Sequence, residues 1–155
     1  MKVTIAVATD QAAFLDLARE VEHWFGPMAE DPGFQATVAK NIQRGSALCV
    51  RRADGPGLLG GLLLSVRPAA YRIGWLVVTN AVRGQGVGRA LVAEAVSRMD
   101  ARTKVIEVVT FGLDHPAAEP SGARAFYERL GFQPCEPALS SPQKGPRQWF
   151  RLTLP

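Results

Sequence analysis

The stretch WLVVTNAVRGQGVGRALV, residues 75–92, decides the fold. It opens with an apolar, β-branched run that predicts a strand ending near Thr79. After a short connector, a helix is predicted to begin within the glycines and to continue to about Met99. Its apolar face is formed by Val87, Leu91, Ala95 and Met99. Glycine costs a helix up to about 1 kcal/mol relative to alanine, so the glycines in residues 84–88 need an explanation.

A helix start of this kind can hold an anion. The first N–H groups have no acceptor within the helix, and the helix dipole adds roughly half a positive charge there. Glycines let a phosphate approach the backbone without Cβ interference, and Arg83 and Arg89 are placed to add charge-assisted hydrogen bonds. A Walker A loop is excluded because Arg89 and Ala90 follow Gly88. A dinucleotide fingerprint is excluded because its third glycine would fall on Arg89 or Leu91. A phosphate site is therefore predicted, with a plain tight turn as the alternative.

The flanking sequence predicts a mixed α+β fold. Asp10 is predicted to cap the first helix, and Asp31 with Pro32 to start the second. Strands are predicted at residues 2–8, 46–52, 58–66, 71–79, 104–111, 132–135 and 147–154. The resulting order is β-α-α-β-β-β-α-β-α-β-β, with residues 112–120 as a loop. We expect a single domain, residues 1–155, with a mixed central sheet of about seven strands and helices on both faces.

Composition excludes several classes of function. The chain has 155 residues, of which 47% are hydrophobic, and this fits one domain with a full core. The net charge is +4, but the basic residues are scattered, so no nucleic-acid partner is expected. No apolar run approaches the roughly 18 residues of a membrane span, and the N-terminus lacks a signal-peptide cleavage pattern. Cys49 and Cys135 match no metal or redox spacing, so we expect no metal and a cytoplasmic location.

Two motifs resemble one enzyme family. Arg83, Gly86 and Gly88 form Arg-x-x-Gly-x-Gly after a strand, which resembles the acyl-coenzyme A pyrophosphate motif of the GNAT-type N-acetyltransferase superfamily. ARAFYERLGF, residues 123–132, resembles the later family signature, a helix that carries a tyrosine and ends in Gly-Phe. The predicted order of elements is also similar to the family fold, so the resemblance covers nearly the whole chain. Asn80 and Pro120 depart from the family pattern, which often has proline and asparagine at these respective positions.

The resemblance implies transfer of an acetyl group from acetyl-CoA to a primary amine of a small molecule or peptide, by direct attack in a ternary complex. It implies that the strand before the loop lines the pantetheine arm and that a backbone N–H near Val78 stabilises the oxyanion. The implied acetyl-CoA contacts are Leu76, Val77, Val78, Arg83, Gly84, Gln85, Gly86, Val87, Gly88 and Arg89. Members of the family often form homodimers, although the sequence shows no clear interface. A non-catalytic acyl-CoA sensor and a general phosphate- or nucleotide-binding domain are the alternatives.

The resemblance also suggests catalytic residues. Tyr127 takes the tyrosine position and is the candidate acid for the departing thiolate, because a phenol with an ordinary pKa near 10 is protonated at neutral pH. Glu107, within the apolar run VIEVV, is similar to the Leu-Glu-Val piece in which some members carry their base. The other candidates for the base are Asp114 and His115 in the following loop, Glu22 and His23 at the end of the first helix, and a water relay.

Overall fold

The computed structural model describes all residues, 1–155. The helices are α1 (Gln11–Glu20), α2 (Glu22–Phe25), α3 (Pro32–Arg44), α4 (Val87–Ser97), α5 (Ala118–Ser121) and α6 (Ala123–Arg129). The strands are β1 (Thr4–Ile5), β2 (Ala47–Arg51), β3 (Leu58–Val66), β4 (Tyr71–Val78), β5 (Val105–Phe111), β6 (Gln133–Ala138) and β7 (Arg147–Thr153). Single 3₁₀ turns cover Ala8–Asp10 and Asn80–Val82. None of the helices combines the length and the apolar character that a bilayer crossing requires.

The strands form one seven-stranded sheet in the order β1-β2-β3-β4-β5-β7-β6. β4 and β5 run parallel, while the β1–β2, β2–β3, β5–β7 and β6–β7 pairs are antiparallel. The parallel pair is the one joined through α4, as expected for a strand–helix–strand connection. The predicted mixed α+β sheet of seven strands is confirmed, and so is the order of its principal elements.

The helices differ from the predictions mainly at their ends. The first predicted helix is interrupted at Val21, whose φ of −114° and ψ of 6° lie outside the helical region, so α2 is separate and short. The predicted loop over residues 112–120 contains the start of α5. α3 begins as predicted, because Asp31 accepts the Phe34 N–H at 2.9 Å and Pro32 occupies the first helical position.

Asp10 does not make the predicted capping hydrogen bond to α1. Its carboxylate accepts the Val7 N–H at 2.8 Å and forms an ion pair with Arg51 at 2.7 Å. The carboxylate therefore connects the 3₁₀ turn to β2 instead of capping the helix. Local sequence suggested a cap because aspartate is common there, but a guanidinium distant in sequence competes successfully for the carboxylate.

The chain packs as two compact units, and the first comprises residues 1–65 and 74–99. Two adjacent glycines in β3 allow helices to approach it closely from opposite faces. A Cβ on Gly61 would lie 2.6 Å from the Phe14 ring of α1, and a Cβ on Gly60 would lie 2.8 Å from the Val87 side chain of α4. Close packing against β3 therefore fixes the position of the first turn of α4.

The second unit comprises residues 66–73 and 100–155. Within it, β5 pairs with β7 along its whole length, with Val108 opposite Phe150 and Glu107 opposite Arg151. α6 packs on the face that carries Phe150, where the Tyr127 and Phe150 ring centroids are 6.5 Å apart. Because neighbouring residues of a strand point to opposite faces, Glu107 and Arg151 lie on the other face.

Both edges of the sheet have few regular backbone donors. At one edge, β1 pairs with β2 through only Thr4 and Ile5. At the other edge, β6 contains Pro134 and Pro137, and its register with β7 shifts between them. Proline has no N–H to donate, so it is found in edge strands and at irregular positions.

Candidate functional site

The glycine segment adopts a conformation that its sequence requires. After β4 and the 3₁₀ turn, Gly84 has a φ of +77° and Gly86 a φ of +91°. Side chains rarely adopt these left-handed values, and α4 begins directly after Gly86. A Cβ added at either glycine would meet no atom within 4 Å. Gly84 and Gly86 thus allow the left-handed backbone of this segment, and both border open space.

The backbone donors at this helix start are unpaired. The first helical hydrogen bond runs from the Ala90 N–H to the Gly86 carbonyl at 3.0 Å, and the Gln85 N–H is taken by the Val82 carbonyl at 3.2 Å. The N–H groups without an acceptor in the protein are those of Gly84, Gly86, Val87, Gly88 and Arg89. No side chain caps the helix. This is the arrangement in which a helix N-terminus binds an oxyanion.

The basic side chains of the segment have different surroundings. The Arg83 guanidinium lies over the Trp24 ring of α2, with its Cζ 4.7 Å from the ring centroid. Arg89 is exposed and makes no hydrogen bond or ion pair. Arg89 is therefore free to meet an anion beside the unpaired N–H groups, while the position of Arg83 is set by contacts within the protein.

The end of β4 offers different groups on its two faces. Val77 is 4% exposed, and its side chain belongs to the core cluster that contains residues of α1 and α3. Leu76 and Val78 lie on the other face and are half-buried. Of the three residues predicted to contact the cofactor along this strand, Leu76 and Val78 are therefore partly exposed and Val77 is buried.

Glu20, the last residue of α1, joins this site although no motif singled it out. Its carboxylate accepts the Thr79 hydroxyl at 3.0 Å and the Asn80 N–H at 3.1 Å, directly after β4. The one indirect signal in the sequence is the position of this carboxylate at the carboxyl end of a helix, where a negative charge is unfavourable and a role outside the helix can explain it.

Tyr127 is buried within an aromatic cluster of the second unit. It is 6% exposed, and its ring makes edge contacts with Phe126 and Phe132, at centroid distances of 5.0 and 5.3 Å. No hydrogen bond engages its hydroxyl. Burial raises the pKa of this phenol above its ordinary value of 10, so it stays protonated throughout the neutral and moderately alkaline range.

Glu107 is held by two arginine side chains. Its carboxylate is 8% exposed and pairs with Arg72 at 2.7 Å and with Arg151 at 3.1 Å. Glu107 also lies on the face of β5 opposite the one that packs against Tyr127. The structure therefore does not bring the two predicted catalytic residues together on one face of β5.

Two of the other candidate bases, Glu22 and His115, have hydrogen-bond partners within the protein. Glu22 accepts the N–H groups of Met28 and Ala29 at 2.6 and 3.0 Å, and these bonds lower the pKa of its carboxyl. The histidine after Asp114 uses both ring nitrogens: Nδ1 accepts the Ala117 N–H at 2.9 Å, and Nε2 lies 2.8 Å from the Lys144 carbonyl, to which it donates. Asp114 is exposed and makes no hydrogen bond. His23 is also exposed and makes no side-chain hydrogen bond, and its ring centroid lies 4.3 Å from that of Trp24.

Comparison with known proteins identifies a family model that matches more than half of the chain. Residues 43–134 match the model described as an acetyltransferase (GNAT) domain. This range includes β4, the glycine segment, α4 and the helix that carries Tyr127. A search of curated protein sequences gives no significant match.

Solved structures share the fold over nearly the whole chain. A GNAT-family acetyltransferase from Bacillus cereus is 14% identical with a TM-score of 0.75, over 99% of this chain and 96% of that one. A ribosomal-protein-alanine N-acetyltransferase from Brucella melitensis is 18% identical with a TM-score of 0.74, over 99% and 100% of the chains. A chain of the NatC complex bound to Gag peptide and CoA is 18% identical with a TM-score of 0.73, over the full length of both. At these identities the likeness shows the fold.

Proposed function

The chain belongs to the GNAT acetyltransferase family, and we propose that it transfers an acetyl group from acetyl-CoA to a primary amine of a small molecule or peptide. The observation that carries this proposal is the row of unpaired N–H groups at the start of α4, bordered by open space at Gly84 and Gly86. A diphosphate presents several anionic oxygens to such a row, and the dipole of α4 adds to the attraction.

The binding role belongs mostly to backbone atoms. Gly84, Gly86, Val87, Gly88 and Arg89 supply N–H groups to the diphosphate, and the side chains of Arg83 and Arg89 add positive charge. Gln85 contributes its side chain, since its own N–H is already bonded. Leu76, Val77 and Val78 lie against the pantetheine arm. The NatC structure, whose chain shares this fold, holds CoA and a peptide together, which supports a site for both substrates.

The reaction proceeds by direct attack of the amine nitrogen on the thioester carbonyl carbon. A C–N bond forms, the C–S bond breaks, and the thiolate of CoA leaves. A backbone N–H near Val78 donates to the carbonyl oxygen as it gains negative charge. The amine loses one proton and the thiolate gains one, so no net proton is released when a neutral amine is consumed.

Tyr127 donates the proton to the departing thiolate. Its raised pKa does not prevent this step, because burial that disfavours a phenolate also disfavours a thiolate beside it. A water molecule receives the proton of the amine, and Tyr127 regains a proton from solvent, so that the phenol is restored after each turnover. Asp114, which makes no hydrogen bond, is the side-chain candidate for the base. Glu107 holds the strands of the second unit together through Arg72 and Arg151 instead of acting as base.

The proposal is tested by two measurements on the same protein. Calorimetry measures the affinity for CoA and its competition by ATP and NAD, and thiol release from acetyl-CoA is followed over a panel of small amines and peptides. We expect CoA binding that ATP and NAD do not match, together with thiol release that depends on an amine. CoA binding without release for any amine would indicate the acyl-CoA sensor. Equal competition by ATP or NAD would indicate a general nucleotide site.

A further inference from the structure

We infer that Glu20 is a positioning residue for the CoA-binding loop, a role that rests on the proposed function of that loop. Its carboxylate fixes the point where β4 ends and the connector to the glycine segment begins. Glu20 and Thr79 are 59 positions apart in the chain, yet their side chains lie 3.0 Å apart. The contact joins the end of α1 to the connector that leads into the row of unpaired N–H groups.

The first step of the argument concerns the 3₁₀ turn Asn80–Val82. Thr79 occupies its N-cap position, but the Thr79 side chain makes no capping bond to the turn. Instead its hydroxyl donates to Glu20, and the Asn80 N–H at the start of the turn donates to the same carboxylate at 3.1 Å. Glu20 thus supplies, from another helix, an acceptor for the first backbone N–H of this turn.

The second step concerns the position of Glu20 in its own helix. Glu20 is the last residue of α1, where the negative end of the helix dipole disfavours a carboxylate. Its negative charge therefore lowers the stability of α1, and the groups that donate hydrogen bonds to it all lie in the connector. Residues that violate a local preference are often kept for a role elsewhere in the molecule.

The third step concerns the backbone that Glu20 holds. The Thr79 N–H donates to the Leu59 carbonyl of β3 at 2.8 Å, and the Val82 N–H donates to the Thr79 carbonyl at 3.2 Å. Thr79 is thus fixed to β3 by its backbone and to α1 by its side chain. A second contact, the Arg83 guanidinium over Trp24, ties the far end of the connector to α2. Between them, these contacts set where the chain enters the glycine segment.

The test compares Glu20→Ala with Glu20→Gln by calorimetry with CoA. Alanine removes the acceptor, whereas glutamine keeps an oxygen that accepts the same hydrogens but removes the charge. Glu20→Ala removes the acceptor of both the Thr79 hydroxyl and the Asn80 N–H, and we expect CoA binding to weaken at least about tenfold, the effect of one bond to a charged acceptor. Glu20→Gln is expected to bind as tightly as the unmodified protein or slightly more tightly, because a negative charge near the diphosphate is gone.

A second variant tests the backbone contact independently of Glu20. Asn80→Pro removes the N–H that the carboxylate accepts and sets φ for the first position of the turn. Thr79 has a ψ of 143°, which suits a residue before proline. We expect Asn80→Pro to bind CoA normally and to reduce the loss caused by Glu20→Ala to about threefold, since the turn is then fixed covalently.

The outcomes separate this inference from the proposed function. If the unmodified protein does not bind CoA, the proposed function fails, and the inference fails with it. If it binds CoA and Glu20→Ala binds equally well, only the positioning role is overturned. Tighter binding by both Glu20 variants would also overturn it, because charge alone would then be the cause. In turnover measurements, Glu20→Ala should raise KM for acetyl-CoA and leave kcat within twofold. The melting temperature of each variant shows whether it is folded.

Discussion

Replacing Gly86 by alanine should damage CoA binding much more than it damages folding. The residue has a φ of +91° immediately before α4, and a Cβ there would meet nothing within 4 Å. Gly86→Ala therefore causes no clash, and its folding cost is limited to the left-handed backbone, about 1–2 kcal/mol. At roughly 2–4 °C per kcal/mol for a chain of this size, the melting temperature should fall by about 2–8 °C.

The effect on binding follows from what the new methyl group would exclude. It occupies the open space beside the unpaired N–H groups, so at least one of them loses access to the diphosphate. A hydrogen bond to a charged group contributes about 1.5–3 kcal/mol, which corresponds to about 10- to 150-fold in the dissociation constant. The binding loss is thus expected to exceed anything that partial unfolding at room temperature could produce.

Gly45→Ala is the matched control. Gly45 ends α3 with a φ of +75°, and a Cβ there would also meet nothing within 4 Å. Both variants should show the same fall in melting temperature, and only Gly86→Ala should lose affinity for CoA in calorimetry. Normal CoA binding by Gly86→Ala, with the destabilisation seen for Gly45→Ala, would refute the assignment of the diphosphate to the α4 N-terminus.

Four further predictions concern the second unit. Tyr127→Phe should lower kcat while the CoA dissociation constant stays within twofold; an unchanged kcat would remove the acid role. Because burial raises the pKa of Tyr127, the pH–rate profile should show no loss attributable to its deprotonation up to pH 10, where an ordinary phenol is half ionised. Glu107→Gln should destabilise the fold by about 1.5–3 kcal/mol in urea denaturation and leave kcat largely intact; loss of turnover at unchanged stability would restore Glu107 as the base. The hydrogen bond from Arg151 lowers the pKa of Glu136 from 4.5 to about 2, so the stability it contributes is complete above pH 4.5 and is lost as the pH falls toward 2. Over that range the melting temperature of Glu136→Gln should fall less than that of the unmodified protein, and an equal fall would contradict this contribution.

The central strand, the glycine segment and α4 were predictable because their signals are local. An apolar run, left-handed glycines and a helical apolar face occupy adjacent residues, and each dictates backbone geometry by itself. The structure places Val87 and Leu91 against β3, as the predicted face required. The start of α3 was predictable for the same reason, because the capping Asp31 and the first helical residue Pro32 are adjacent in the sequence.

The partners of charged side chains were not predictable from local sequence. The position of Glu107 in an apolar strand and its likeness to the family's Leu-Glu-Val piece predict a base, but neither signal indicates its partners Arg72 and Arg151, which lie far away in the sequence on the two neighbouring strands. For the same reason no local pattern indicates the role of Glu20, because the residues it contacts lie in a connector far along the chain. Strand alternation did place Glu107 on one face. It gave no information about which face carries Tyr127, because that depends on the packing of α6.

The interrupted edges of the sheet limit how copies of this chain can associate. A strand added from a second molecule needs a regular row of free donors and acceptors, and neither the brief β1 nor the proline-bearing β6 provides one. We therefore expect any dimer to form through side-chain surfaces rather than through a sheet shared across two molecules. By the same reasoning, concentrated solutions should resist the growth of strand-linked aggregates for as long as the native fold persists.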